Sequence, residues 1–170
     1  MRNIELKARF REREKAVRVC DALGAVLQGD LRQVDTYLRV PEGRLKLREA
    51  SPGRDELVFY RRPDVLGPKG CDYSLAPVSG AIKPVLCEAL GVLAVVEKVR
   101  TLYLWEHVRI HLDVVAGLGD FIEFEAVLSE ECGDVEGHAK LERLIAAFEL
   151  REEDFLALSY LDMMLEKGGA

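Results

Sequence analysis

No apolar run in this 170-residue chain approaches the length of a membrane span, and none follows Met1. Neither a transmembrane helix nor a signal peptide is therefore expected, and a cytoplasmic location follows by default. Cysteine is sparse: Cys20, Cys71, Cys87 and Cys132 lie far apart and form no CxxC pair. That spacing argues against a zinc site and suits reduced thiols that mostly pack. Positive charge is in deficit, with 24 Lys and Arg against 30 Asp and Glu, a net charge of −6. The deficit argues against a nucleic-acid binder that relies on a global basic field, but not against a local basic pocket. No nucleic-acid or membrane partner is expected. The nucleotide-binding fingerprints are missing too. "GLGD" (117–120) falls between two strand-like stretches and lacks both the glycine spacing and a Lys-Ser/Thr pair. No Ser-His-Asp or Cys-His arrangement is visible from spacing.

What is present is ordinary for a globular protein: 49% hydrophobic and 32% charged residues, enough for one domain over 1–170 with its own core. "RNIELKARF" alternates as a strand. Ala16, Val19, Cys20 and Leu23 fall at helical spacing, with Gly24 as a stop. "QVDTYLRV", "RLKLREA" and "ELVFYRR" read as strands separated by turns. Pro63 to Val78, with Gly67, Pro68 and Gly70, reads as a mobile loop. A short helix with Pro84 in its first turn follows. Then come a hairpin, "AVVEKVRTLYLW" and "EHVRIHLDVVAG", and the strand "FIEFEAVLS". A helix is predicted from Asp134, carried by Leu141, Leu144, Ile145 and Phe148, and a last helix over Phe155 to Leu165. Short connections favour antiparallel pairing, so the class is α+β with a curled sheet or barrel.

Parity sorts the charges. Glu5 and Lys7 share a face with Asn3 and Arg9; Arg44, Lys46 and Arg48 share one; Lys98 and Arg100 another. Arg109, His111 and Asp113 lie opposite Val108, Ile110, Leu112 and Val114, while Glu123 and Glu125 lie opposite Ile122 and Phe124. Parity leaves open which of Arg61 and Arg62 points where. Each strand alone fits a sheet with one face in water, and cross-strand ion pairs account for part of the sorting. A site accounts for it as well, because a triphosphate needs several cations and a divalent metal needs hard carboxylate oxygens. His111 by itself reads as a hydrogen-bonded structural residue.

"NIELKARF" resembles the ExExK signature of the CYTH superfamily, the triphosphate tunnel metalloenzymes. The resemblance continues through "VDTYL", "RLKLRE", "EKVRTLY", "RIHLDVVAGLGDFIEFE" and "SYLDMML", and so runs along nearly the whole chain. Within the superfamily the class IV adenylate cyclase branch is the most similar. The resemblance implies a closed antiparallel eight-stranded β-barrel with surrounding helices and a charged tunnel. It implies Glu5, Lys7 and Glu123 as catalytic residues, with Lys7 on phosphate or positioning the nucleophile. Lys46, Arg48, Arg61, Lys98, Arg100 and Arg109 would bind phosphate, with Arg62 as the neighbour and substitute of Arg61. Glu5, Asp113, Glu123 and Glu125 would bind Mg2+ or Mn2+. The implied activity is conversion of ATP to cyclic AMP and pyrophosphate. The alternatives are a tripolyphosphatase, thiamine triphosphatase or nucleoside triphosphatase on the same fold, or a non-catalytic polyphosphate- or nucleotide-binding module. Helix faces not needed by the barrel could support a homodimer. The chain departs from the signature at Asn3, which stands where ExExK has its first Glu; an amide oxygen can ligate a hard cation but brings no charge. Glu125 could compensate from the neighbouring strand.

Overall fold

Strand alternation governs most of the chain, and the apolar faces decide how the sheet closes. The computed structural model describes residues 1–130 and 132–168. Its strands are β1 (Arg2–Arg9), β2 (Val26–Leu38), β3 (Arg44–Ser51), β4 (Glu56–Arg61), β5 (Lys69–Pro77), β6 (Val92–Trp105), β7 (Val108–Val115) and β8 (Gly119–Val127). They form a closed barrel in the order β1-β5-β4-β3-β2-β6-β7-β8, each neighbouring pair antiparallel. Helices α1 (Arg13–Leu23), α2 (Lys83–Leu90), α3 (Asp134–Ala147) and α4 (Tyr160–Gly168) accompany it. No helix among the described residues is long and apolar enough to cross a membrane.

The main core lies outside the barrel. Ile4, Leu6 and Ala8 of β1, Ile110 and Leu112 of β7 and Ile122, Phe124 and Ala126 of β8 pack against Ala16 and Cys20 of α1 and Leu141 and Leu144 of α3. The apolar faces of these strands therefore point outward under helices, and their charged faces point inward. A glycine permits the close fit: a Cβ on Gly137 of α3 would stand 3.0 Å from Ile4 Cδ1 and 3.1 Å from Leu128 Cδ2. Helix α1 stops where its periodicity predicts, at Gly24 in the left-handed region, whose N–H returns to Cys20 and Asp21 carbonyls. A second apolar cluster joins inward-facing Tyr37, Val58, Tyr60, Val96, Val115 and Phe121 to Tyr160, Leu161 and Met163, so α4 covers one end of the barrel.

Two expectations change. The segment predicted as a mobile loop contains β5, which closes the barrel between β1 and β4. Its Cys71, Tyr73 and Leu75 alternate with Asp72, Ser74 and Ala76, a signal masked by the preceding Gly and Pro. The last helix starts at Tyr160 rather than Phe155, because the chain first adds backbone contacts to β1. Phe155 bridges to Ala8, and the Leu156 N–H donates to the Lys7 carbonyl at 2.9 Å.

Candidate functional site inside the barrel

The barrel encloses a cavity of about 410 Å³ lined by charged side chains from six strands and by Ser159 and Tyr160 at the covered end. One wall is cationic. Lys46 and Arg48 of β3 and Lys98 and Arg100 of β6 line it, and their strands flank β2 on either side. Behind this wall stands Asp35 of β2, 0% exposed. It accepts from Lys46 Nζ at 2.9 Å, Lys98 Nζ at 2.7 Å, and Arg48 through Nε at 2.8 Å and Nη2 at 2.9 Å. Burial would raise the Asp35 carboxyl, but Arg48, Lys46 and Lys98 outweigh it and hold the group well below the usual carboxylate range. Burial and neighbouring cations pull Lys98 down to about 7 and Lys46 down to about 8, with Asp35 opposing the shift in both.

The opposite wall is acidic. Register places Glu5 of β1 across from Glu125 of β8, Lys7 across from Glu123, His111 of β7 across from Glu123, and Arg109 across from Glu125. Lys7 Nζ bonds Glu123 Oε1 and lies 3.9 Å from the centre of the Tyr160 ring. Glu123 Oε2 also accepts from Arg100 Nη2 at 2.7 Å and faces His111 Nδ1 at 3.3 Å. Burial alone would raise Glu123, yet Lys7 and Arg100 hold it well below its ordinary value. Glu5 moves the other way. Burial and then the Glu123 charge raise it, despite Arg62, whose Nη1 donates to Glu5 Oε1 at 3.0 Å. The two carboxylates thus differ in proton affinity within one cluster, a common arrangement where acid and base roles are divided.

Donor atoms of His111, Glu123 and Glu125 lie within 4.8 Å of one another, a spacing that could hold a metal ion. Asn3 also lines the cavity, and its Oδ1 is buried with no hydrogen-bond partner among the described residues. A buried acceptor in that state needs a donor or a cation to satisfy it.

The structure brings Glu5, Lys7, Lys46, Arg48, Lys98, Arg100, Arg109, Glu123 and Glu125 to the cavity surface. Arg61 is corrected. On β4, Glu56, Val58 and Tyr60 line the cavity and Arg61 alternates outward, where its side chain is 63% exposed and pairs with Glu42 at 3.7 Å. Arg62, just past the strand end, turns inward instead. Asp113 is not among the lining residues. It accepts from Arg100 Nε and Nη2 at 2.7 and 2.6 Å and from the Tyr160 hydroxyl at 2.8 Å, and so serves as the anchor of Arg100. Arg100 outweighs burial and holds the Asp113 carboxyl down at about 2. Sequence reasoning missed Asp35 as a partner of the cations; His111 is hydrogen-bonded, as read from the sequence, and also lines the cavity. The "VDTYL" stretch carried the signal for Asp35, since Asp35 shares its face with Gln33 and Tyr37 and is the only acid there.

Comparison with known proteins agrees with this geometry. The CYTH domain profile matches residues 1–160. Among curated proteins none matches the chain. Among solved structures, the PH1012 protein of Pyrococcus horikoshii OT3 is 26% identical with a TM-score of 0.80, the match covering 94% of this chain and 98% of that one. A candidate adenylate cyclase of Vibrio parahaemolyticus is 21% identical with a TM-score of 0.76, covering 95% and 97%. HpAC1 of Hippeastrum, a candidate adenylyl cyclase described by its dominant triphosphatase activity, is 17% identical with a TM-score of 0.64, covering 98% and 96%. With the profile spanning nearly all of the chain and the barrel shared by these structures, the chain belongs to the CYTH domain family.

Proposed function

We propose that this chain is a metal-dependent enzyme that takes a triphosphate into the barrel and converts ATP to cyclic AMP and pyrophosphate. The observation that supports this best is the pairing of two unlike walls across one cavity of about 410 Å³. Lys46, Arg48, Lys98 and Arg100 offer several cations to a polyanion, and Glu5, Glu123 and Glu125 offer hard oxygens to a cation that would accompany it. Leu31, Leu75, Leu102 and Tyr73 also line the cavity and give an apolar surface for the face of a nucleobase.

The donor set fits Mg2+ or Mn2+, because the carboxylates are oxygen ligands and the Asn3 amide oxygen is buried without a partner among the described residues. Glu5, Glu123 and Glu125 would hold the ion with Asn3 and His111 beside them. When bound, such an ion offsets charge on phosphate oxygens and acidifies an attacking hydroxyl. The chain's own residues do the rest. The cationic wall binds and orients the phosphates, Lys7 supplies N–H donors where charge develops, and the closed barrel limits water. In the cyclase reaction the ribose 3′-oxygen bonds the α-phosphorus, the bond to the bridging oxygen of pyrophosphate breaks, and the hydroxyl proton is released.

A second reading, hydrolysis of a triphosphate by water, uses the same walls. The fold shared with HpAC1, which is described by a dominant triphosphatase activity, favours it. Product analysis with ATP, tripolyphosphate and thiamine triphosphate, each with Mg2+ and with Mn2+, separates the two. Cyclic AMP with pyrophosphate supports the cyclase, and orthophosphate supports the hydrolase. No turnover of any of the three would overturn the enzyme reading in favour of a binding module.

A further inference from the structure

Asp35 is fully buried and does not line the cavity, whereas the three cations bonded to it do. Those cations come from β3 and β6, the strands on either side of β2, so the barrel order alone gathers them on one carboxylate. Lys46 and Lys98 share Oδ2, and Arg48 spans both oxygens. A carboxylate paired with one cation closes an ion pair. One shared among three leaves positive charge and N–H donors turned toward the cavity. Without it, three cations converging on one point would repel one another, and the lysines can relieve that repulsion by losing protons.

We propose that Asp35 is a positioning residue: the shared counter-ion that assembles Lys46, Arg48 and Lys98 into one phosphate cradle before ligand arrives, and that sets the pH range over which the cradle stays charged. This rests on the triphosphate reading above. The groups facing the two lysines are Asp35 and Tyr37 from β2, Arg48 from β3, Arg100 from β6 and the Tyr60 ring from β4. Of these, Asp35 is the carboxylate. Burial and the arginines already bring Lys98 to about 7 and Lys46 to about 8 with Asp35 in place, so its removal moves both titrations further down. In acid more of the lysine charge survives in either protein, so losing Asp35 costs less binding there than in alkali.

The test is calorimetric binding of tripolyphosphate, without divalent metal, to the full chain and to Asp35→Asn at about pH 6 and about pH 8.5. Titration of the ligand is common to both proteins and cancels in their ratio. The expected result is a smaller loss of affinity for the variant in acid, and an additional loss of about tenfold or more at the alkaline end. A ratio that stays constant with pH would overturn the proposal and leave Asp35 a merely structural acid. Absence of tripolyphosphate binding by the unaltered chain at both values would overturn the triphosphate reading and this proposal with it. If Asp35→Asn does not fold, the same comparison is made between Lys98→Met and the charge-balanced pair Lys98→Met with Asp35→Asn. A steeper alkaline loss in the pair supports the proposal, and identical slopes overturn it.

Discussion

The two walls of the cavity solve the same problem with different balances of charge. Both bury charge in a closed barrel, where unpaired ions are costly. On the β2–β3–β6 side one carboxylate, Asp35, is set against Lys46, Arg48 and Lys98, leaving cations in excess. On the β1–β7–β8 side Glu5, Glu123, Glu125 and Asp113 are set against Lys7, Arg62, Arg100 and Arg109, which is balance rather than excess. Arg100 links the sides, since it sits on the cationic strand yet binds Asp113 and Glu123. The difference teaches what each wall is ready to accept. The first has donors to spare for an anion. The second holds its carboxylates on internal cations that an added metal would partly replace.

The sharpest break of this comparison is Glu123→Gln. It removes the shared partner of Lys7, Arg100 and His111. Turnover of the preferred triphosphate should fall by about 10²–10³, read from steady-state kinetics, with the fold retained by circular dichroism. Lys98→Ala strikes the other wall and should raise KM by about tenfold or more while affecting metal affinity little. Unchanged KM and kcat would remove Lys98 from the phosphate site. Glu125→Gln should do the reverse, weakening Mg2+ or Mn2+ binding by about tenfold in a metal titration.

Asn3→Glu sharpens the acidic side by adding the charge its signature position lacks. Metal affinity should rise by a few-fold. No change would place the Asn3 oxygen outside the metal's reach.

The smallest effect is on stability. Lys98 titrates at about 7 rather than 10.5, so between those values the unfolded chain binds more protons than the folded one. Folded stability from this group therefore rises as pH increases through that window. Relative to Lys98→Met, the melting temperature of the unaltered chain should climb across it, and a flat difference would refute the depressed titration.

Much of this was legible in the residues. The alternation of "RIHLDVV" and "FIEFEAV" named the faces, and the structure turns those faces where parity says. The shared faces of the cavity-lining residues on β1, β3, β6 and β8 follow from period two, whereas their reading as a site came from the family resemblance. Three things were not legible. Strand β5 hides behind Gly67 and Pro68. The choice between Arg61 and Arg62 depends on how far the alternation of β4 persists past its last paired residue. The convergence of Lys46, Arg48 and Lys98 on Asp35 depends on which strands neighbour β2.

By itself, then, the sequence determined the two faces of each strand, the sorting of charge among strands and the family signature, because these are local properties of spacing and side-chain type. Only the tertiary structure decided that the charged faces are enclosed, that Asp113 anchors Arg100 behind the cavity wall, and that one buried aspartate serves three cations. The physical reason is closure. An open sheet would hydrate these groups one by one, whereas a barrel with helices over its apolar outer face gathers them around one cavity, where they pair with each other.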